Sequence, residues 1–127
     1  MSLLAEREYY KPFNYPWAFE HYKTQQHMHW LPDEVNLADD LRDYREKMSV
    51  GQKKLLSSLF RFFTQADVDV CCGYAKHYLP TFKQPEVRMM LSAFAAMEAV
   101  HQEAYSLLLE TLGKDEDIYQ EFFDINV

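Results

Sequence analysis

The chain has few residues that interrupt helices and few that could cross-link it. Its 127 residues include only 3 glycines, 5 prolines and 2 cysteines. Long segments free of glycine and proline favour long helices over a strand-rich fold. Cys71 and Cys72 are adjacent, and helical neighbours point about 100° apart, so we expect no disulfide between them. We interpret both as small core or half-core residues of a protein in a reducing, cytoplasmic compartment.

Other absences exclude whole classes of protein. The net charge of −7 argues against a nucleic-acid or anionic-membrane surface, because either would repel the chain. No apolar run approaches the roughly 20 residues that span a bilayer, and the N-terminus carries an early Glu6 without the basic segment of a signal peptide. Glycine-rich phosphate loops and the common hydrolase motifs are also missing. The composition, 48% hydrophobic and 16% aromatic, instead predicts one small domain with a real core.

Apolar periodicity and end signals predict several helices. The expected elements are an extended lead-in at 1–16, helices at 17–30, 50–78 and 85–112, a solvated charged loop around 39–43, and the start of a further helix at 117–127. Pro16 and Pro85 suit the first turns of their helices. Ser49 with Gln52 matches a capping box, and Gly113 is a natural C-cap. The two long helices should form an antiparallel αα-hairpin.

Polar groups interrupt the apolar stripes of both long helices. Counted at 100° per residue, one stripe contains Val87, Leu91, Phe94, Glu98, His101, Tyr105, Leu109 and Leu112, and the other contains Leu56, Phe60, Phe63, Asp67, Val70, Cys71 and Tyr74. Carboxylates on core-facing stripes are costly unless a cation meets them. Carboxylate and imidazole ligands suit iron or manganese, and Glu-x-x-His on inward helix faces builds dimetal bundles. Asp67, Glu98 and His101 therefore predict half of a dimetal site.

Each of these residues has a simpler explanation when it is taken singly. A lone His101 is more often a satisfied core histidine, and a lone Asp67 often caps a backbone or pairs with an arginine. Their joint placement favours the metal site, because Asp67 and Glu98 lie about 12 and 14 residues from the hairpin loop, within roughly 3 Å of the same height. Tyr105 is either a core tyrosine or a phenol that a nearby redox metal can oxidise. Trp30 is equally consistent with an aromatic that caps the bundle.

Several motifs together resemble the small, radical-generating subunit of class I ribonucleotide reductase. They are Tyr15-Pro16-Trp17-Ala18-Phe19, Gln25-Gln26-x-x-x-Trp30-x-Pro32-x-Glu34-Val35, Phe62-Phe63-x-x-x-Asp67 and Met97-Glu98-x-x-His101-x-x-x-Tyr105. The resemblance runs from about Tyr15 to Leu112 and corresponds to the first third of a typical family member.

The resemblance implies a fold, a cofactor and a set of roles. The fold is all-α, half of a ferritin-like helical bundle in a single partial domain. Asp67, Glu98 and His101 are then ligands of a dinuclear iron or manganese cofactor. Tyr105 becomes the radical site, and Trp30 becomes a radical-transfer relay next to His101. The implied reaction is the reduction of ribonucleoside diphosphates to deoxyribonucleotides, in partnership with a large catalytic subunit.

The sequence departs from the family pattern in its missing second half. No second carboxylate and Glu-x-x-His pair is present, nor the C-terminal tail that docks on the catalytic subunit. We therefore expect a fragment or split-gene half that needs a complementary C-terminal chain, or a homodimer that rebuilds the site from two copies. The chain alone should not support nucleotide reduction. The alternatives are a homodimeric dimetal oxidase or metal-handling protein, and a metal-free helical interaction module.

Overall fold

The computed structural model describes residues 2–124, and no β-strand occurs among them. The α-helices are α1 (Pro16–His27), α2 (Ala38–Glu46), α3 (Val50–Gly73), α4 (Leu79–Thr81) and α5 (Pro85–Thr111). Short 3₁₀ segments occupy Pro32–Glu34 and Glu116–Phe122, and a π-helical turn spans Tyr74–Tyr78. The all-α fold class is thus confirmed. None of the helices within residues 2–124 is both long enough and apolar enough to cross a membrane.

The ends of the two long helices follow from identifiable residues. At the start of α3, the Gln52 amide N–H donates to the Ser49 hydroxyl at 3.2 Å. The Ser49 amide N–H donates in return to the Gln52 side chain at 2.8 Å, which completes the predicted capping box. After α5, Gly113 adopts a φ of 77°, a left-handed conformation that favours glycine. The Lys114 amide N–H then donates to the Leu109 carbonyl at 3.0 Å and closes the C-cap.

The π-helical turn Tyr74–Tyr78 explains how the helical path that begins with α3 continues past Pro80 into α4. In this turn the Leu79 amide N–H donates to the Tyr74 carbonyl, five residues back. Proline lacks an amide hydrogen and its ring collides with the carbonyl four residues earlier in a regular α-helix. The wider turn changes that register immediately before Pro80, which then lies in the first turn of α4.

Two expectations from the sequence were wrong. The charged segment expected to be a loop contains α2, in which Tyr44 is buried. Ion pairs between Arg42 and Asp39 at 2.9 Å and between Lys47 and Asp43 at 2.7 Å link neighbouring turns of this helix. The segment expected to begin a helix at 117–127 is instead 3₁₀ over Glu116–Phe122, and residues 125–127 lie outside the described part of the chain.

The chain divides into two compact units. The first unit combines the residues up to Trp30 with Asp69–Ala99, and the second combines Leu31–Val68 with the residues from Val100 onward. The core of the first unit consists of Ala18, Val87, Met90 and Leu91, with Tyr15, Tyr22, Tyr74 and Phe94 among the partly buried residues packed around it. In the second unit, Tyr44, Val100 and Leu109 are buried.

A buried ion pair joins the lead-in to the start of α5 within the first unit. Arg7 and Glu86 are both almost completely buried, and Nη2 of Arg7 donates to Oε2 of Glu86. The remaining guanidinium donors reach the carbonyls of Tyr9, Tyr10 and Pro12 at 2.7–3.0 Å. The extended lead-in is therefore held by a charged group whose donors bond to its own backbone and to α5.

The Glu86 carboxylate also bonds to the backbone just before α1. Its Oε1 accepts the amide N–H groups of Asn14 and Tyr15, both at 2.9 Å. Next to it, the buried Gln84 side chain donates to the Ala5 carbonyl at 2.6 Å and accepts from the Asn14 side chain at 3.0 Å. Every one of these contacts spans about 70 residues of sequence or more, so the start of α5 organises the first unit.

Candidate metal centre

The predicted inward face of α5 contains buried residues, although the buried side of the helix also extends to Ala93 and Val100. Val87, Leu91 and Leu109 are all buried, with Leu109 only 1% exposed. Glu98, His101 and Tyr105, which occupy the same stripe, are each half-buried. The helix runs without interruption through all of these residues, so its 3.6-residue period fixes Glu98 and His101 one turn apart on one face.

The prediction of which side of α3 is buried was only partly right. The buried residues of this helix are Ser57 and Thr64, whose hydroxyls donate to the carbonyls of Lys53 and Phe60 at 2.8 Å. Because these hydroxyls bond to carbonyls of their own helix, the two small side chains can be buried, and other residues can pack closely against that side of α3. Two residues of the expected core stripe, Phe63 and Val70, are instead 40% and 45% exposed. Asp67 is half-buried, at the border between the packed and the exposed sides.

The exposed side of α3 is strongly apolar. We call it the open α3 face, and its residues are Leu55, Leu59, Phe62, Phe63 and Val70. At 100° per residue these five side chains fall within about a third of the helix circumference. Contiguous exposed apolar surface of this kind marks interaction sites.

Three predicted ligands come together in the structure. One ligand atom from each of Asp67, Glu98 and His101 lies within 4.8 Å of the other two. Ligand atoms at about 2.1 Å from a shared metal lie at most about 4.2 Å apart, so small side-chain rotations bring this group into coordination range. Two carboxylates and one imidazole suit iron or manganese, and the residues present therefore fit one half of a dinuclear site.

Hydrogen bonds between α3 and α5 flank this group. Gln102 follows His101 directly in the sequence, and its Nε2 donates to the backbone carbonyl of Asp67 at 3.2 Å. One turn after Asp67, the Cys71 thiol contacts the Ala95 carbonyl at 3.7 Å. Gln102 was not predicted from the sequence, because its position is off the apolar stripe and nothing in the sequence shows that its amide reaches a backbone carbonyl.

The Tyr105 ring lies against two phenylalanines of α3. Its centroid is 5.4 Å from that of Phe63 and 6.3 Å from that of Phe60, and both pairs are stacked. Tyr105 is one turn beyond His101 on α5. Trp30 is half-buried in the connection after α1, and its expected role as a relay stays a prediction.

The first unit contains a tyrosine, Tyr74, that is affected by the charge of the predicted ligand Glu98. Burial raises the pKa of the Tyr74 phenol, and the negative charges of Glu98 and Tyr78 raise it further. Tyr74 therefore stays protonated across the neutral range and is available to donate a hydrogen bond.

Comparison with known proteins shows which family this sequence resembles. The family "ribonucleotide reductase, small chain" matches residues 7–126. A probable ribonucleoside-diphosphate reductase small subunit of Invertebrate iridescent virus 6 is 51% identical over 96% of this chain, and that of Invertebrate iridescent virus 3 is 46% identical over 96%. The small subunit of Dictyostelium discoideum is 30% identical over 89%. The chain spans about a third of the length of these relatives, at 34%, 32% and 33%.

Solved structures show the same fold at lower sequence identity. A ribonucleotide reductase R2 subunit from Clostridium botulinum aligns with a TM-score of 0.81 at 20% identity, covering 93% of this chain and 38% of that one. The Rnr4 homodimer of Saccharomyces cerevisiae aligns with a TM-score of 0.83 at 21% identity, covering 98% and 41%. By its sequence match over nearly its whole length, supported by this fold, the chain belongs to the ribonucleotide reductase small chain family.

Proposed function

We propose that this chain forms one half of the dinuclear metal site of a ribonucleotide reductase small subunit. The ligands are Asp67, Glu98 and His101, and the metal is iron or manganese. The observation that carries the proposal is the approach of three ligand atoms to within 4.8 Å of one another. The corresponding activity is the reduction of ribonucleoside diphosphates, performed together with a large catalytic subunit.

The roles of the chain's own aromatic residues follow from their positions. A bound redox metal supplies an oxidising equivalent, which members of this family store on a tyrosine. Tyr105 is the residue suited to hold it, because it lies one turn from His101 and stacks against Phe60 and Phe63. These rings limit the access of water to its phenol. Trp30 is proposed to relay the equivalent towards the catalytic subunit.

The second set of ligands must come from outside the described group. Three ligands cannot fill the coordination shells of two metals, which in carboxylate-bridged bundles take a Glu-x-x-His from each of two helices. The remainder of a longer chain, a complementary chain or a second copy of this chain is proposed to provide them. The open α3 face adjoins Asp67 and offers the apolar surface on which such a helix pair would pack.

Loading the assembled site, in which the second set of ligands is present, with Fe(II) and then admitting oxygen tests the role of Tyr105. We expect an electron paramagnetic resonance signal of a tyrosyl radical, because the phenol lies within one turn of a ligand. The Tyr105→Phe variant should lose the signal, and the Tyr119→Phe variant, whose hydroxyl bonds to Ser106, should keep it. An unchanged signal in Tyr105→Phe would contradict this role.

Assembly is the second testable consequence. We expect the chain to associate at micromolar concentration, because the open α3 face leaves five large apolar side chains exposed. Light scattering should show a mass above that of one chain. The Leu55→Glu variant, which places a charge on this face, should shift the population towards monomer.

Val50→Glu provides the matched control for assembly. Val50 is also exposed on α3, but it points to the opposite side of the helix from the open α3 face. Its substitution should leave the mass unchanged. A cooperatively folding monomer in the unmodified chain would argue against the proposed partner surface.

A further inference from the structure

The second unit contains a strongly basic cleft in an otherwise acidic chain. The cleft has a volume of about 500 Å³ and is lined by Tyr44, Val50, Lys53, Lys54, Ser57, Ser58, Arg61, Lys114, Ile118 and Glu121. Four of these residues are cations and one is an acid, which leaves a formal charge of +3 in a chain whose net charge is −7. The volume lies within the usual range of small-molecule sites.

Two of the three ammonium groups of this cleft lie near one buried ring. Nζ of Lys53 lies 5.4 Å and Nζ of Lys114 lies 5.9 Å from the centroid of Tyr44. Nζ of Lys53 also donates to the Arg45 carbonyl at 3.3 Å, a neutral acceptor that leaves its charge uncompensated. The two lysines are thus positioned by cation–π contacts that are available without a ligand.

The arginine of the cleft has a free donor. Its Nη1 reaches the Glu121 carboxylate at 3.4 Å, which is the one ion pair that a described residue makes with these four cations. The Nε atom of Arg61 is buried and has no hydrogen-bond partner within residues 2–124. A buried N–H without an acceptor is costly, and a rotation of the Arg61 side chain towards an anion in the cleft would relieve this cost.

Hydroxyl groups complete the set of donors. The Tyr44 hydroxyl lies 3.4 Å from the Ser57 hydroxyl, and Ser58 lines the same cleft. Burial raises the pKa of the Tyr44 phenol, but its hydrogen bonds with Ser57 and Lys114 and the positive charges of Lys114 and Lys53 outweigh that effect and lower the pKa. The local field of the cleft therefore favours negative charge.

We propose that this cleft binds a di- or triphosphate anion through its phosphate groups. A single carboxylate would neutralise one of the uncompensated charges, whereas an anion of about three negative charges matches the formal +3. The Tyr44 ring is only 8% exposed and lies near two ammonium groups, so it offers no free face for stacking a base. The site therefore recognises the phosphates and does not distinguish a nucleobase.

Titration of the chain with pyrophosphate, followed by amide chemical shifts in nuclear magnetic resonance, tests this site. We expect saturable shifts at Lys53, Arg61 and Lys114, and we expect ADP to bind with an affinity within about threefold of pyrophosphate. Sodium chloride at matched ionic strength should not produce these shifts. If sodium chloride caused chemical-shift changes equal to those with pyrophosphate, the changes would reflect only the screening of charges by salt, and the proposal would be overturned.

A charge-neutral double variant provides the decisive comparison. Lys53→Gln combined with Lys114→Gln should weaken pyrophosphate binding at least about tenfold, because two charge-assisted contacts are removed. Lys23→Gln, an exposed lysine of α1, should leave binding unchanged, and circular dichroism should show that both proteins are folded. Equal weakening in the control would overturn the site. Preference for poly-glutamate over pyrophosphate would also overturn it, in favour of an acidic protein segment as the occupant.

Discussion

Replacing His101 with alanine is expected to remove most of the iron or manganese that the chain binds while leaving its helices intact. The change deletes the only nitrogen ligand of the group formed with Asp67 and Glu98. Alanine is a strong helix former, so α5 should retain its structure. The measurement is metal content by mass spectrometry after loading with Fe(II) or Mn(II), with helicity followed by circular dichroism.

The same site should affect stability. A metal at about 100 times its dissociation constant stabilises the folded chain by about 2.7 kcal/mol, which for a domain of this size raises Tm by on the order of 10 °C. Without metal, the carboxylates of Asp67 and Glu98 repel each other at close range. His101→Ala should abolish the metal-dependent increase in Tm.

The control for this variant is His77→Ala, which removes an exposed histidine from the π-helical turn. It should bind metal as the unmodified chain does and show the same increase in Tm. Equal metal content in the two variants would contradict the assignment of His101. Identical melting of the unmodified chain with and without metal would favour a metal-free interaction module.

Truncation of Glu86 should cause the largest loss of stability. Glu86→Ala is expected to lower the free energy of unfolding by about 3–5 kcal/mol, because removing one partner leaves the buried Arg7 guanidinium without its counter-charge. It also leaves the amide N–H groups of Asn14 and Tyr15 without their acceptor. Denaturation by urea measures the change. Glu103→Ala, an exposed glutamate of α5, should alter stability by no more than about 0.5 kcal/mol.

The pH dependence of unfolding provides an independent check on Glu86. Burial raises the pKa of its carboxyl group, but hydrogen bonds from backbone N–H groups and Arg7 outweigh this and bring the pKa below its ordinary value of 4.5. A lowered carboxyl pKa contributes stability that is present above pH 4.5 and is lost as the pH falls. The Glu86→Gln variant should therefore lose less stability on acidification than the unmodified chain. Parallel pH profiles would contradict this role.

The sequence predicted the bounds of α5 and the shared face of Glu98 and His101, for clear physical reasons. Pro85 and Gly113 mark its ends, and an unbroken apolar stripe spans the helix. A residue's position on a long regular helix follows from counting, so the alignment of Glu98 with His101 needed no tertiary information. The height of Asp67 relative to Glu98 along the hairpin also followed from counting residues from the loop, because that loop is short.

The remaining features depend on contacts that local patterns do not contain. Helix α2 was overlooked because its charges hid a single buried position, Tyr44. The packed side of α3 was misjudged because Ser57 and Thr64 are polar in sequence, although their hydroxyls bond to the helix backbone. The Arg7–Glu86 pair joins residues 79 positions apart, and no local pattern connects them.

The π-helical turn at Tyr74–Tyr78 has a consequence for how the chain can change in length. A turn with hydrogen bonds five residues apart contains about one residue more than an α-helical turn. This spare residue lies after Asp67 and before the start of α5 at Pro85. A single deletion within the turn would remove this spare residue and leave the rotation of the preceding α3 residues unchanged, but the resulting regular α-helix would require a different residue in place of Pro80. The length of the hairpin is thus coupled to the residue at position 80, whereas the rotation of Asp67 on α3 is independent of both.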